Sequence, residues 1–165
     1  MGKLWIGIDP GLNGAVGFVS SDRQAWVEPM PTLPYSATGI VKRAFDPHGL
    51  ACILRPHVEA LVWEGASVRA FIERVNAFPG QGVASMFSLG MSYWGAFSVC
   101  ATLGIPVQMV EPKDWKRFFR LEKDKALARA MAQRLFPHLN FGKVKDDGRA
   151  EALLIAQYGK SLENK

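Results

Sequence analysis

Hydrophobic positions change their period several times along this chain, and each change marks an element. Leu4, Ile6 and Ile8 alternate with Trp5, Gly7 and Asp9, which predicts a β-strand over residues 4–9. The turn cluster Pro10-Gly11-Leu12-Asn13-Gly14 separates it from a second strand, Ala15 to Ser20, and the two should form a hairpin. Gln24 to Met30 reads as a third strand ended by prolines, and residues 31–45 read as a loop. Asp46-Pro47 is a helix start, with aspartate at the N-cap and proline in the first turn. The helix should run to about Trp63, kinked or restarted at Pro56. Val68 to Val75 predicts a core strand carrying Glu73.

After the turn at residues 78–82, Val83 to Leu103 mixes glycine, alanine and serine with large apolar residues. That mixture suits a helix packed closely on another backbone. Ile105 to Val110 predicts a short strand, Pro112 to Phe119 and Lys123 to Phe136 basic helices, and Asp147 to Tyr158 a last helix. Strands first, then strands alternating with helices, indicate a mixed-sheet α/β domain. With 165 residues, 48% of them hydrophobic, a single domain spanning residues 1–165 is expected. No run of eighteen apolar residues occurs and no cleavable leader is visible, so a soluble, cytoplasmic protein is expected. Cys52 and Cys100 lie far apart in apolar stretches, which predicts buried free thiols.

Charge is unevenly distributed. Between Lys113 and Lys145 there are ten basic and three acidic residues; elsewhere there are ten basic and twelve acidic ones. A positive potential concentrated in one segment favours a nucleic-acid partner, although a solvated helix face has the same composition. Trp115, Phe118 and Phe119 within that segment read as core residues rather than stacking platforms.

Three acidic sites stand out against this background. Asp9 ends a central strand just before a glycine turn, where a carboxylate either caps its own turn or faces a cleft. Glu73 interrupts the β-prone run Phe71-Ile72-Glu73-Arg74-Val75, so it must pair with Arg74, lie near an edge or bind a cation. Glu64 is a rival position at an apparent helix end. Asp147 and Glu151 are four residues apart on the last helix and share a face, while Ala150, Leu153 and Leu154 form its buried stripe. Like charges at that spacing weakly destabilise a helix, and a divalent cation between them would relieve the conflict. Oxygen-only ligands suit magnesium or manganese. Four carboxylates can hold two such ions about 3.5–4 Å apart for phosphodiester hydrolysis. His48, His57 and His138 are scattered and lack the spacing of a zinc hydrolase.

With these residues in view, the chain resembles the RuvC family, and particularly its phage-type branch. Ile6-Gly7-Ile8-Asp9-Pro10-Gly11 resembles the first-strand signature, Phe71 to Val75 the second acidic motif, and Asp147-Gly148-Arg149-Ala150-Glu151-Ala152-Leu153 the carboxy-terminal acidic helix. The resemblance implies a ribonuclease H-like fold with a mixed five-stranded sheet flanked by helices. It also implies a homodimeric, magnesium-dependent endonuclease, with manganese able to substitute, that cuts branched DNA such as Holliday junctions. By the same likeness Asp9, Glu73, Asp147 and Glu151 would hold two metal ions. Lys116 and Lys125 would serve near the scissile phosphate, Lys123 being an alternative to Lys125. The helix over residues 83–103 would pair the subunits, in the cytoplasm of a bacterium or a phage-infected host. The chain departs from the bacterial pattern in spacing its last two acids four apart instead of three, which leaves Asp146 as an alternative to Asp147. It also has Asn76, with Phe78 slightly later, where bacterial members carry a junction-wedging aromatic. Two other readings compete: a non-catalytic DNA-binding domain of the same fold, and a nucleotide-binding phosphotransferase. The latter needs two copies of the strand-aspartate-glycine unit, and this chain holds one.

Overall fold

A computed structural model describes the backbone of residues 2–37, 40–63, 65–77, 79–121 and 124–163. The side chains of residues 35–37, 40, 41, 60–63 and 125 fall outside the description. In chain order the elements are β1 (Lys3–Asp9), β2 (Ala15–Ser20), β3 (Ala25–Pro29), β4 (Thr32–Ala37), β5 (Ile40–Phe45), α1 (Pro47–Trp63), β6 (Ser67–Glu73), α2 (Val83–Thr102), β7 (Val107–Val110), α3 (Pro112–Phe118), α4 (Lys125–Leu135) and α5 (Asp147–Glu163). A short 3-10 turn, Val144–Asp146, leads into α5.

Five strands form one sheet in the order β3-β2-β1-β6-β7. β1 pairs antiparallel with β2 and parallel with β6, which makes it the centre of a mixed sheet. The alternation in β1 sorts its side chains between two cores. Leu4, Ile6 and Ile8 pack with Leu50, Leu54, Ala96 and Cys100 of α1 and α2. Trp5 packs on the opposite face with Trp115, Ala132, Leu153 and Leu154 of α3, α4 and α5. A strand covered on both sides is apolar at nearly every position, as the burial of β1 from Leu4 to Ile8 reflects. Gly7 leaves space for α5 on that second face: a Cβ there would run into the Ala152 carbonyl and the Ala156 backbone. Removing a fully buried anchor such as Phe71 would cost about 3–5 kcal/mol.

Several expectations need correction. Residues 31–45 are not simply a loop, because β4 and β5 form a separate antiparallel ribbon in which Pro34 stands opposite Arg43. Prolines that read as strand breakers are tolerated there, since both strands of a two-stranded ribbon are edges. α1 continues through Pro56 without restarting; the carbonyl that proline leaves unpaired belongs to Cys52, which is exposed. Cys52 is therefore not the buried thiol expected, whereas Cys100 is buried and its thiol is pushed up to about 12 by burial. Asp46 caps α1 as expected, accepting the Gly49 N–H at 2.9 Å. Glu64, Phe78, Glu122 and Lys123 lie outside the described residues.

Candidate active site

The carboxyl end of β1, the end of β6 and the first turns of α5 meet over a cleft of about 1130 Å³. Asp9, Glu73, Asp147 and Glu151 all line it, together with Lys116. Three chain segments thus bring their acids to one place for separate local reasons. Asp9 is the last residue of β1, on the α5 side, and the turn after it is closed by the Gly14 N–H donating to the Gly11 carbonyl at 3.1 Å. Glu73 is the last residue of β6, where the parallel ladder with β1 ends. Asp147 and Glu151 share a face of α5 because they are one helical turn apart.

Gly148 lets this assembly close. A Cβ at that position would stand 2.5 Å from the Asn13 carbonyl oxygen and 3.0 Å from the Asp9 Oδ2, so a side chain would separate α5 from the Asp9 turn. The acidic helix therefore approaches the first carboxylate by direct backbone contact.

Each acid has a defined setting. Trp115 Nε1–H donates to Glu73 Oε2 at 2.6 Å while its ring is fully buried, so one residue serves both the core and the cleft. Arg74 pairs with Glu111 at 3.0 Å. Arg129 of α4 pairs with Asp147, and Lys116 Nζ lies 3.6 Å from Glu151 Oε1. Asp146, the alternative ligand, has a different task. It accepts the Lys143 N–H at 3.0 Å and pairs with Arg149 at 3.0 Å, which caps the turn before α5. Burial alone would raise its pKa, but those two donors more than offset this, so the carboxyl is held below its ordinary value of 3.8. It lines a neighbouring cavity with Lys143 and Lys145 instead of the acidic cleft.

The four acids share the cleft without forming a closed metal cage. Among the described residues no group of three or more histidine, cysteine, aspartate or glutamate side chains is gathered closely enough to hold an ion. Like charges repel, and Arg129 and Lys116 neutralise the two helix acids where they stand. The donor set itself, carboxylate oxygens lining a cleft, fits a hard divalent cation.

Of the lysines, Lys116 lies in the cleft beside Glu151, with its ammonium 5.0 Å from the centre of the Trp115 ring. Lys125 opens α4, and its side chain is outside the described residues. Trp115 and Phe119 are core residues as expected; Phe118 is exposed and makes edge contacts with Phe119 and Tyr158. Sequence reasoning missed three cleft partners. Arg129 contributes only to the charge of its segment when the sequence is read alone, and the structure sets it on α4 against Asp147. The Trp115 bond was foreseeable in kind, because a buried indole N–H needs an acceptor. Arg43 lay in the supposed loop; it donates to the Leu12 carbonyl at 3.3 Å and to Asn13 Oδ1 at 2.6 Å, tying β5 to the turn after Asp9.

A mixed five-stranded sheet flanked by helices, with its central strand ending at the cleft, gives this chain the ribonuclease H-like α/β fold. No family model matches the chain, and no curated protein matches it in sequence. Among solved structures it is similar to Thermus thermophilus RuvC in complex with Holliday junction substrate, with a TM-score of 0.58 and 14% identity over 99% of this chain and 95% of that one. A second Thermus thermophilus RuvC structure gives a TM-score of 0.55 and 15% identity over 99% and 96%. At this level of identity the likeness establishes the fold. No helix among the described residues is long and apolar enough to cross a membrane.

Proposed function

We propose that this protein is a divalent-metal-dependent endonuclease that hydrolyses phosphodiester bonds in branched DNA. The observation that carries the reading is the meeting of Asp9, Glu73, Asp147 and Glu151, from three separate chain segments, in one cleft of a ribonuclease H-like fold. Those residues would hold one or two magnesium ions, with manganese as a substitute. Bound there, the metal would supply an activated water and a counter-charge for the leaving oxygen. Trp115 orients the Glu73 carboxylate, and Lys116 places a cation beside Glu151 where a scissile phosphate would enter. Lys125 is assigned a phosphate contact from the head of α4, on the strength of the family resemblance.

A four-way junction is the substrate proposed, since the similar Thermus protein was solved with one. Two opposed cuts in such a substrate call for two active sites. Val83, Phe87, Met91 and Trp94 form an exposed apolar stripe on α2 that suits an isologous homodimer. The Arg129–Asp147 and Lys116–Glu151 pairs support a second reading, a DNA-binding domain of this fold in which the chain's own cations replace the metal.

One assay separates the two. A synthetic four-way junction incubated with the protein should be cut in magnesium and remain whole in EDTA, and Asp9→Asn protein should bind the junction without cutting it. Binding with no cutting in either magnesium or manganese would leave the non-catalytic reading in place.

A further inference from the structure

Beside the acidic cleft lies a second groove of about 820 Å³, between the β4–β5 ribbon and the first turns of α2. Its lining differs from its neighbour's, where the four acids stand among Arg43, Lys116, Lys145 and Arg149. Lys42 and Arg43 stand on one wall and Ser85 and Ser88 on the other, and among the described residues no acid lines it. Among the described residues no acid pairs with Lys42, which is exposed on the ribbon. Gly11, Leu12, Asn13, Arg43 and Leu89 line both spaces, so the groove opens directly off the site where the carboxylates meet. Arg43 is held against the Leu12 carbonyl and Asn13, which fixes the ribbon to the turn that follows Asp9.

We infer that this groove is the exit track of the cleaved strand: it carries the phosphodiester backbone next to the scissile phosphate, with a phosphate on Lys42. The inference rests on the nuclease reading for the identity of the scissile phosphate. Its own basis is charge complementarity and continuity with the cleft. A polyanion that continues past the cleft meets Lys42 and Arg43 on a wall with no described acid, which favours a phosphate there. Arg43 is a positioning residue that holds this wall in place. Ser85 and Ser88 add hydroxyl donors of the kind that orient backbone phosphates without reading sequence. Phe87 and Met91 stand where the groove meets the apolar stripe of α2. A second copy of the chain is therefore the rival occupant.

The test uses the full chain carrying Asp9→Asn, so that DNA stays intact, and reads junction binding by fluorescence anisotropy across a range of salt. Lys42→Ala should lower the dependence of log K on log salt by about 0.7–0.9 and weaken binding roughly five- to tenfold at 0.1 M salt. Arg55→Ala, an exposed change on α1, should leave both unchanged. A neutral methylphosphonate scanned along the strand should cost the parent protein the same loss at a position beside the cut and cost the Lys42→Ala protein nothing further there. An unchanged salt slope in Lys42→Ala would overturn the inference, as would a changed dimer dissociation constant with the slope intact. If Lys42→Ala protein with Asp9 intact still cuts the junction in magnesium while the slope is unchanged, the groove fails and the nuclease reading stands. A reduced slope, where protein with Asp9 intact never cuts in magnesium or manganese, would keep the groove as a DNA contact and remove the nuclease. Absence of DNA binding by the parent would end both.

Discussion

The acidic cleft and the basic groove share the turn after Asp9, but they are built in different ways. The cleft is assembled by long-range packing: the ends of two core strands and the start of a buried helix bring in four carboxylates. The groove belongs to a two-stranded ribbon outside the main sheet, tied to the turn after Asp9 by Arg43 and to α2 by the buried ring of Phe45. Four carboxylates are held in one cleft by a rigid scaffold together with paired cations, Arg129 on Asp147 and Lys116 on Glu151. A surface that attracts a polyanion can sit on a lighter element, since the ligand itself helps to order it. Damage to the scaffold should therefore abolish chemistry, and damage to the ribbon should graduate affinity.

The sharpest way to break this contrast is Asp9→Asn. It should lower magnesium-dependent cutting by at least 10²–10³-fold while junction binding, followed by anisotropy, stays near the parent value. Undiminished cutting would detach Asp9 from the chemistry. Trp115→Phe comes next: it keeps most of the ring in the core but removes the donor to Glu73. Cutting should fall about 10–100-fold for a stability loss near 1 kcal/mol in urea unfolding, whereas a parallel loss of fold would make Trp115 only a core residue.

Gly148→Ala tests how closely the scaffold must approach. Its Cβ meets backbone at the Asn13 carbonyl, and denaturant unfolding should show a loss of about 1–3 kcal/mol. The smallest effect expected is at Asp146. A carboxyl held below 3.8 stabilises the fold above that value, and the contribution disappears as pH falls through its lowered folded-state value. Asp146→Asn should therefore cost about 1 kcal/mol at pH 7, and the two proteins should become equally stable in acid. A gap that is constant with pH would deny the carboxylate that role.

Much of this was legible beforehand because the core elements repeat one signal over many residues. β1 alternates, α5 carries Ala150, Leu153 and Leu154 at helical spacing, and Asp46 caps α1 as its type and place suggest. The acids were conspicuous as charges interrupting those patterns. The ribbon was not, because its described residues Leu33, Pro34, Lys42 and Arg43 are exposed and show no buried alternation, and prolines stand at 31 and 34. Arg129 and Arg43 were equally hidden, since an arginine that folds back on a carboxylate or a carbonyl has the same sequence signature as one facing solvent. Arg129→Gln turns that gap into a measurement. It removes the cation beside Asp147, so manganese should bind more tightly to the variant, by calorimetry, if the metal and the guanidinium compete for one carboxylate. Weaker binding would instead make Arg129 a support that orients Asp147 for the metal.

The most direct measurement is anomalous diffraction at the manganese edge from crystals of the protein with an uncleavable junction. Two peaks about 3.5–4 Å apart between Asp9 and α5 are the predicted result. Full occupancy by DNA with no manganese density against Asp9, Glu73, Asp147 or Glu151 would contradict it.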